Sequence, residues 1–243
     1  MLRLIIFSIA AGFSLILGVI IGTSFKIPQK AIAAVMAFGS GVLICALTFG
    51  LMEEAFKHGG FDAILIGFLA GGSVFIIGDF IIHRFGGRNY KKSKISKKVR
   101  ETNGKAIVLG ALLDGIPESV ALCISLLAKN GIGILMVSAI FLSNLPESLS
   151  SIDDLRKEGL SKKQIYTLWS IVSAGIVIIT ILSFLFLEKL SLNTLGIIES
   201  FASGAILAML ADSMMPEAYE YGGYLIGFLT ILGFLTAFML SKI

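Results

Sequence analysis

Two apolar stretches of the chain each carry acidic side chains in the middle of a sequence otherwise suited to hydrocarbon. Residues 114–119 read D-G-I-P-E-S, and residues 143–148 read S-N-L-P-E-S. The Pro, Glu and Ser keep their order and their spacing in both stretches. We therefore interpret the two stretches as versions of one motif.

The motif places oxygen atoms on one face of a helix. Asp114 and Glu118 are related as i and i+4, as are Ser143 and Glu147, and side chains at this spacing share a helical face. Each motif proline lacks an N–H, so we expect a backbone carbonyl one turn earlier to lose its usual partner. Two such helices facing each other would offer a cation several oxygen ligands.

The composition is that of an integral membrane protein. Of 243 residues, 56% are hydrophobic and 15% are charged, which lies outside the range of soluble domains. The stretch from Met1 to Ser24 lacks a convincing cleavage site, so we expect it to remain as a membrane segment. The net charge of +4 comes from basic residues beside apolar segments, which is typical of topology signals and disfavours nucleic-acid binding.

Runs of about 20 apolar residues predict eight transmembrane helices in a single domain spanning residues 1–243. Most of the Lys and Arg residues fall in alternate connections, on one side. Because positive residues stay in the cytosol, we expect the basic loop 84–104 to be cytosolic and both termini to lie outside. The predicted helices are residues 2–24, 31–56, 61–83, 105–127, 132–152, 163–187, 192–218 and 222–241.

The segments on either side of the two motifs also repeat. F-G-S-G at 38–41 matches F-A-S-G at 201–204, and M-E-E-A at 52–55 matches M-P-E-A at 215–218, both at the same offset. Segments 1–3 therefore resemble segments 6–8 in the opposite orientation. The sequence predicts an all-α membrane protein, with eight transmembrane helices in a 3+2+3 inverted-repeat bundle and Pro-interrupted helices 4 and 5 at the centre. Secondary transporters are commonly built in this way.

Acidic side chains inside a membrane need a counterion or a proton. An ionisable group at midplane depth costs about 2.5 to 3.5 kcal/mol on insertion scales. Asp114, Glu118 and Glu147 lie well inside their segments, and no Lys or Arg lies at comparable depth. We expect these carboxylates to hold a cation. Ser143 and Asn144 are candidate ligands because they occupy the first two places of the second motif.

Four further residues are candidates for the permeation pathway. Asp212 lies in the middle of segment 7, and Cys45 lies in segment 2, from which it could reach the site. Asp79 and His83 are related as i and i+4 at the predicted cytosolic end of segment 3. They form either a metal exit site or a solvated helix end.

These features resemble the ZIP family of divalent metal transporters over nearly the whole chain. The paired motifs carry the resemblance, together with the M-x-E-A endings of segments 2 and 7. The resemblance implies a metal site between segments 4 and 5, formed by Asp114, Glu118, Ser143, Asn144 and Glu147. Typical members have His-Asn where this chain has Asp-Gly at 114–115, and a glycine after each motif Glu where this chain has serine.

The predicted function is secondary transport of a divalent metal cation of the zinc, manganese or iron class. Oxygen ligands without histidine favour Mn²⁺ and Fe²⁺ relative to Zn²⁺, which carboxylates can also bind. We expect no enzymatic activity, and no cofactor beyond the transported ion. The expected partners are that ion and membrane lipid, with a homodimer as a possible assembly, and the expected location is the plasma (inner) membrane of a prokaryote.

Two other functions remain open from the sequence. One is a proton-coupled carrier or exporter of another substrate on the same scaffold, in which Glu118 and Glu147 cycle protons. The other, more remote, is an intramembrane glutamate peptidase using Glu53-Glu54 with His58 and His83. The predicted topology separates its two histidines by about a membrane thickness, ~30 Å, which is too far for them to share one water.

Overall fold

The computed structural model describes residues 2–84, 104–128 and 132–242. The predicted basic loop lies mostly outside these ranges. Within them the chain is helical and contains no strand. The helices are α1 (Leu2–Ser24), α2 (Gln29–Ala46), α3 (Glu53–Arg84), α4 (Gly104–Leu127), α5 (Ile132–Lys157), α6 (Lys162–Leu187), α7 (Leu192–Met209), α8 (Met215–Gly222) and α9 (Leu225–Leu240).

Several of these helices are suited to a membrane. Among the described residues, six helical stretches are long and apolar enough to cross one, and α9 is apolar but shorter. Their number indicates a multi-pass membrane protein. The six stretches are Leu2–Ser24, Gln29–Ile82, Leu109–Leu127, Gly133–Lys157, Lys162–Leu187 and Leu192–Gly222.

Two glycines break the helical path at corresponding places. Gly60, inside α3, has φ 65° and ψ −161°. Gly223, between α8 and α9, has φ 62° and ψ −145°. Glycine reaches a positive φ without the steric cost that other residues carry. The two breaks are related by the offset of the sequence repeat, and Gly60 falls in the connection predicted between segments 2 and 3.

Two π-helical segments precede these breaks. α2 continues into the segment Leu47–Met52, and α7 continues into Leu210–Met214. Their first residues are related by the same repeat offset. The apolar pattern does not predict them, because a π turn changes the hydrogen-bond register without changing the composition.

The described helices differ from the predicted ones at several places. The π-helical segments divide predicted segments 2 and 7, and α3 begins at Glu53 and not at residue 61. Helix α5 ends at Lys157 and not at residue 152, because its last turns are polar and an apolar run stops before the helix does. The prediction of Pro-interrupted helices is wrong. Helices α4 and α5 continue through Pro117 and Pro146, since a proline removes one hydrogen bond and neighbouring helices can hold the rest in place.

The helices pack in two groups. In the first, α1 packs on α5 and α6, and α4 packs on α6. In the second, α3 packs on α7, and α2 packs on α9. Contacts of α2 with α5 and of α4 with α7 join the groups. The motif helices α4 and α5 therefore lie where the two groups meet.

Glycines allow the backbones of the second group to touch. A Cβ atom on Gly41 would overlap the carbonyl oxygen of Thr230, and one on Gly233 would overlap that of Phe38, so α2 and α9 interlock in both directions. Such contacts matter in lipid, where no hydrophobic force drives helices together. The same arrangement joins α3 and α7 through Gly71, Gly204, Phe68 and Phe201.

We predict that Gly71→Val destabilises the protein by about 1 to 3 kcal/mol or more, because the added side chain must push α7 away. Gly227→Val is the control, since no atom lies within 4 Å of a Cβ placed there. Thermal unfolding in detergent, followed by fluorescence of the single tryptophan, gives the measurement. Equal midpoints for the two variants would contradict the role assigned to this crossing.

Candidate metal site

Helices α4 and α5 carry the motif residues into the interior. Asp114 and Glu118 on α4 are buried, as are Ser143 and Asn144 on α5. Glu147 is half-buried. The i, i+4 spacing therefore turns oxygen-bearing side chains inward from both helices, as the sequence predicts.

One hydrogen bond joins the two motifs directly. The hydroxyl of Ser143 donates to Oε1 of Glu118 across 2.8 Å, and both side chains are buried. The same hydroxyl lies 3.0 Å from the carbonyl oxygen of Ile140, its alternative acceptor on α5. A hydrogen bond to a charged group contributes about 1.5 to 3 kcal/mol. This bond positions a carboxylate of the first motif against the second.

Asn144 faces helix α1. Its amide nitrogen donates to the carbonyl oxygen of Ala11 at 3.4 Å. An amide NH₂ group only donates hydrogen bonds, so the amide oxygen is the atom of this side chain that could bind a metal. Asn144 thus ties α5 to α1.

The last serine of each motif contacts a neighbouring helix. Ser119 donates to the carbonyl of Gly115 at 2.7 Å and lies 3.3 Å from that of Ile176 on α6. Ser148 occupies the corresponding place on α5, where Gly18 of α1 leaves room for it. The serine after each motif Glu therefore fills the contacts of α4 with α6 and of α5 with α1.

The proline of the second motif affects the contact with α2. The carbonyl of Leu142 lies one turn before Pro146 and so lacks its helical donor. A Cβ atom on Gly39 would come within 2.8 Å of this carbonyl oxygen. The carbonyl is therefore held against α2 at close range.

No group of three His, Cys, Asp or Glu side chains suited to a metal occurs in the part of the chain that the structure describes. An ion held by the motifs would use hydroxyl or amide oxygens besides carboxylates. The five-residue ligand set Asp114, Glu118, Ser143, Asn144 and Glu147 stays a prediction.

The other candidate residues lie in different surroundings. Cys45 is fully buried in the larger apolar cluster. Asp212 is exposed, in the second π-helical segment, and so differs from the motif acids. Asp79 is buried, which excludes the solvated helix end for this residue. The side chain of His83 lies outside the described residues.

One buried acid is not among the residues predicted from the sequence. Glu199 on α7 is completely buried, and its Oε2 lies 2.9 Å from Nδ1 of His58 on α3. His58, considered from the sequence only as part of a peptidase, therefore binds a carboxylate. The signal was present, because Glu199 lies within an apolar run with no basic residue at similar depth.

Two cavities lie at the ends of the motif helices. One of about 1050 Å³ is formed by the beginnings of α1 and α5 and the ends of α4 and α6, and Ser125, Arg3 and Glu188 line it. The other, of about 50 Å³, lies at the opposite end of α5. Its lining is strongly acidic and consists of Gln29, Ser150, Asp153, Asp154, Lys157, Glu217, Glu220 and Tyr221.

We predict that Ser143→Ala lowers the free energy of unfolding by about 1 to 3 kcal/mol, because Glu118 loses a buried donor. Ser138→Ala is the control, since that serine is exposed on the same helix and its hydroxyl contacts only its own backbone turn. Ser138→Ala should lower the free energy of unfolding by no more than about 0.5 kcal/mol. Chemical denaturation in detergent gives both values, and indistinguishable losses would rule out a contribution from the Ser143–Glu118 bond.

Comparison with known proteins gives one distant relative. Over 185 residues the chain is 26% identical to a protein of Arabidopsis thaliana named "putative zinc transporter". The match covers 74% of this chain and 29% of the relative, so the chain spans less than a third of that protein's length. No protein-family model matches the chain. The similarity supports metal transport loosely.

Proposed function

We propose that this protein is a secondary transporter that moves a divalent metal cation through a site between α4 and α5. The observation that carries the proposal is the buried hydrogen bond between Ser143 and Glu118, which joins the two motifs. An acidic side chain buried in a membrane protein is a functional site by default, because it is costly to keep there. The name of the plant relative agrees with metal as the substrate class.

Eight crossings fit the helices better than six. The stretch Gln29–Ile82 has 54 residues, about 80 Å as one straight helix, which far exceeds a hydrocarbon core of ~30 Å. The break at Gly60 divides it into two crossings. Helix α9 spans about 24 Å and follows the equivalent break at Gly223. Counting both gives the eight helices of the ZIP family arrangement.

An inverted repeat accounts for several features that share one offset. The two glycine breaks and the two π-helical segments are each related by the offset of the sequence repeat. Gly41 of the α2–α9 crossing is related to Gly204 of the α3–α7 crossing by the same offset. Helix α1 packs on α5 as α6 packs on α4. Repeats of opposite orientation around a central site are the usual basis of alternating access.

The cavities suggest the path of the ion. Ser125, which lines the larger cavity, is two turns from Glu118 on α4, about 10 Å along the axis. Fully buried apolar side chains, including Leu122, Met136 and Ile140, occupy the intervening turns and close this route. On the other side, Ser150 in the acidic cavity is one turn beyond Glu147. We infer that the ion reaches the cytosol through the acidic cavity.

Two observations bear on the alternative functions. Positions 58 and 83 lie near opposite ends of α3, about 37 Å apart on a helical path, and His58 is engaged by Glu199. This geometry disfavours the peptidase. A proton-coupled carrier of another substrate would use the same buried acids, and uptake measured with and without a pH gradient distinguishes it from metal transport.

Glu118→Ala and Glu147→Ala should each reduce metal uptake into proteoliposomes to background, because the site loses a charged ligand. Asp62→Ala is the matched control, since that carboxylate is exposed and should be dispensable. Uptake of Mn²⁺ and Zn²⁺ is measured after insertion has been checked by membrane fractionation. Retained uptake in both motif variants would show that the ion takes a different path.

We also expect Mn²⁺ and Fe²⁺ to compete for uptake at least as well as Zn²⁺, because the motifs offer oxygen ligands and no imidazole. Competition of unlabelled ions against radioactive Mn²⁺ measures the order. Transport of Zn²⁺ with Mn²⁺ and Fe²⁺ ignored would contradict an oxygen-only site.

A further inference from the structure

His58 and Glu199 form a polar pair away from the two motifs. The pair links the first turns of α3, before the break at Gly60, to α7. Oε2 of Glu199 lies 2.9 Å from Nδ1 of His58, and its other oxygen, Oε1, is buried without a hydrogen-bond partner among the described residues. The imidazole of His58 is therefore the hydrogen-bond partner of this carboxylate among the described residues.

This bond fixes the orientation of the imidazole. When Nδ1 carries the hydrogen and donates it to Glu199, the lone pair is on Nε2. A carboxylate behind a histidine in this way is the usual outer shell of a metal site, and it raises the basicity of the ligating nitrogen. The Glu199 side chain is 0% exposed and that of His58 is 20% exposed, so the ring is anchored from within and accessible from outside.

A second ligand lies one helical turn away. Glu54 and His58 are related as i and i+4 and so share one face of the helix. The ammonium of Lys57 lies 3.0 Å from Glu54 and 3.2 Å from the exposed Glu53. The Lys57 side chain is 54% exposed and that of Glu54 is 15% exposed, so water still reaches the lysine end of this pair. Ion pairs with solvent access contribute only about 0 to 1 kcal/mol. A divalent cation can therefore displace Lys57 from Glu54.

We propose that Nε2 of His58 and the carboxylate of Glu54 form a second metal site, which binds a divalent cation that accepts imidazole, such as Zn²⁺. Glu199 orients the histidine and does not bind the ion itself, which agrees with the absence of any three-ligand group among the described residues. Water completes the coordination, so binding is weak and reversible. In the topology of the proposed function this site lies on the extracellular side of the membrane. Its role in capturing ions before transport rests on that proposed function.

The chain has two histidines, which makes the test direct. In His83→Gln protein labelled on histidine, the imidazole NMR signal belongs to His58. Glu118→Gln and Glu147→Gln are included to remove the motif carboxylates. Titration of the detergent-purified full chain with Zn²⁺ should then shift the His58 signal saturably. Glu199→Gln and Glu54→Gln should each weaken this binding about 10- to 100-fold.

Glu53→Gln is the matched control, because it removes a neighbouring carboxylate that also contacts Lys57 and should leave the affinity unchanged. A His58 signal that ignores Zn²⁺, or equal affinity in the Glu54→Gln and Glu53→Gln proteins, would overturn the proposal. If Glu199→Gln fails to fold, the comparison of Glu54→Gln with Glu53→Gln still decides. If the wild-type protein binds Zn²⁺ at His58 but transports no metal, only the proposed function is refuted. If it transports metal but His58 does not bind Zn²⁺, only this site is refuted.

Discussion

A carboxylate inside a membrane must be neutralised or hydrogen-bonded, and the arrangement of the motif helices follows from this constraint. Glu118 is buried on α4, and the hydroxyl of Ser143 on α5 donates to it. Because the donor is on another helix, the position of the acid depends on the packing of α4 against α5. Ser119 and Asn144 tie those helices to α6 and α1 in turn. The candidate site and the first helix group therefore form one connected unit.

The second group depends on a different interaction. Lipid removes the hydrophobic force between helices, so α2 with α9 and α3 with α7 are held by close backbone contact at glycines. This interlocking produces two similar crossings, and α2 and α7 also contact the motif helices. Two packed groups that meet at the motif helices are the kind of construction on which alternating access is based, so this packing is consistent with the transport function proposed above.

Much of this organisation could be predicted from sequence because it depends on composition and spacing. The helical class and the inward-facing acids follow from apolar runs and the i, i+4 pattern. Other features could not be predicted. The π-helical segments have no compositional signal, and the polar end of α5 hides its last turns. The prolines 117 and 146 leave α4 and α5 continuous because neighbouring helices supply the support that an isolated helix lacks. Pairing of Glu199 with His58 is a contact between residues far apart in the chain, which spacing alone does not specify.

The most direct test of the central claim is to locate a bound ion. Crystals of the protein grown with Mn²⁺ should give an anomalous-scattering peak between α4 and α5, with oxygen atoms of Glu118 and Ser143 at ligand distance and with the peak lost in Glu118→Gln. A well-diffracting crystal at saturating Mn²⁺ with no peak between these helices, or with a peak that persists in Glu118→Gln, would contradict the account.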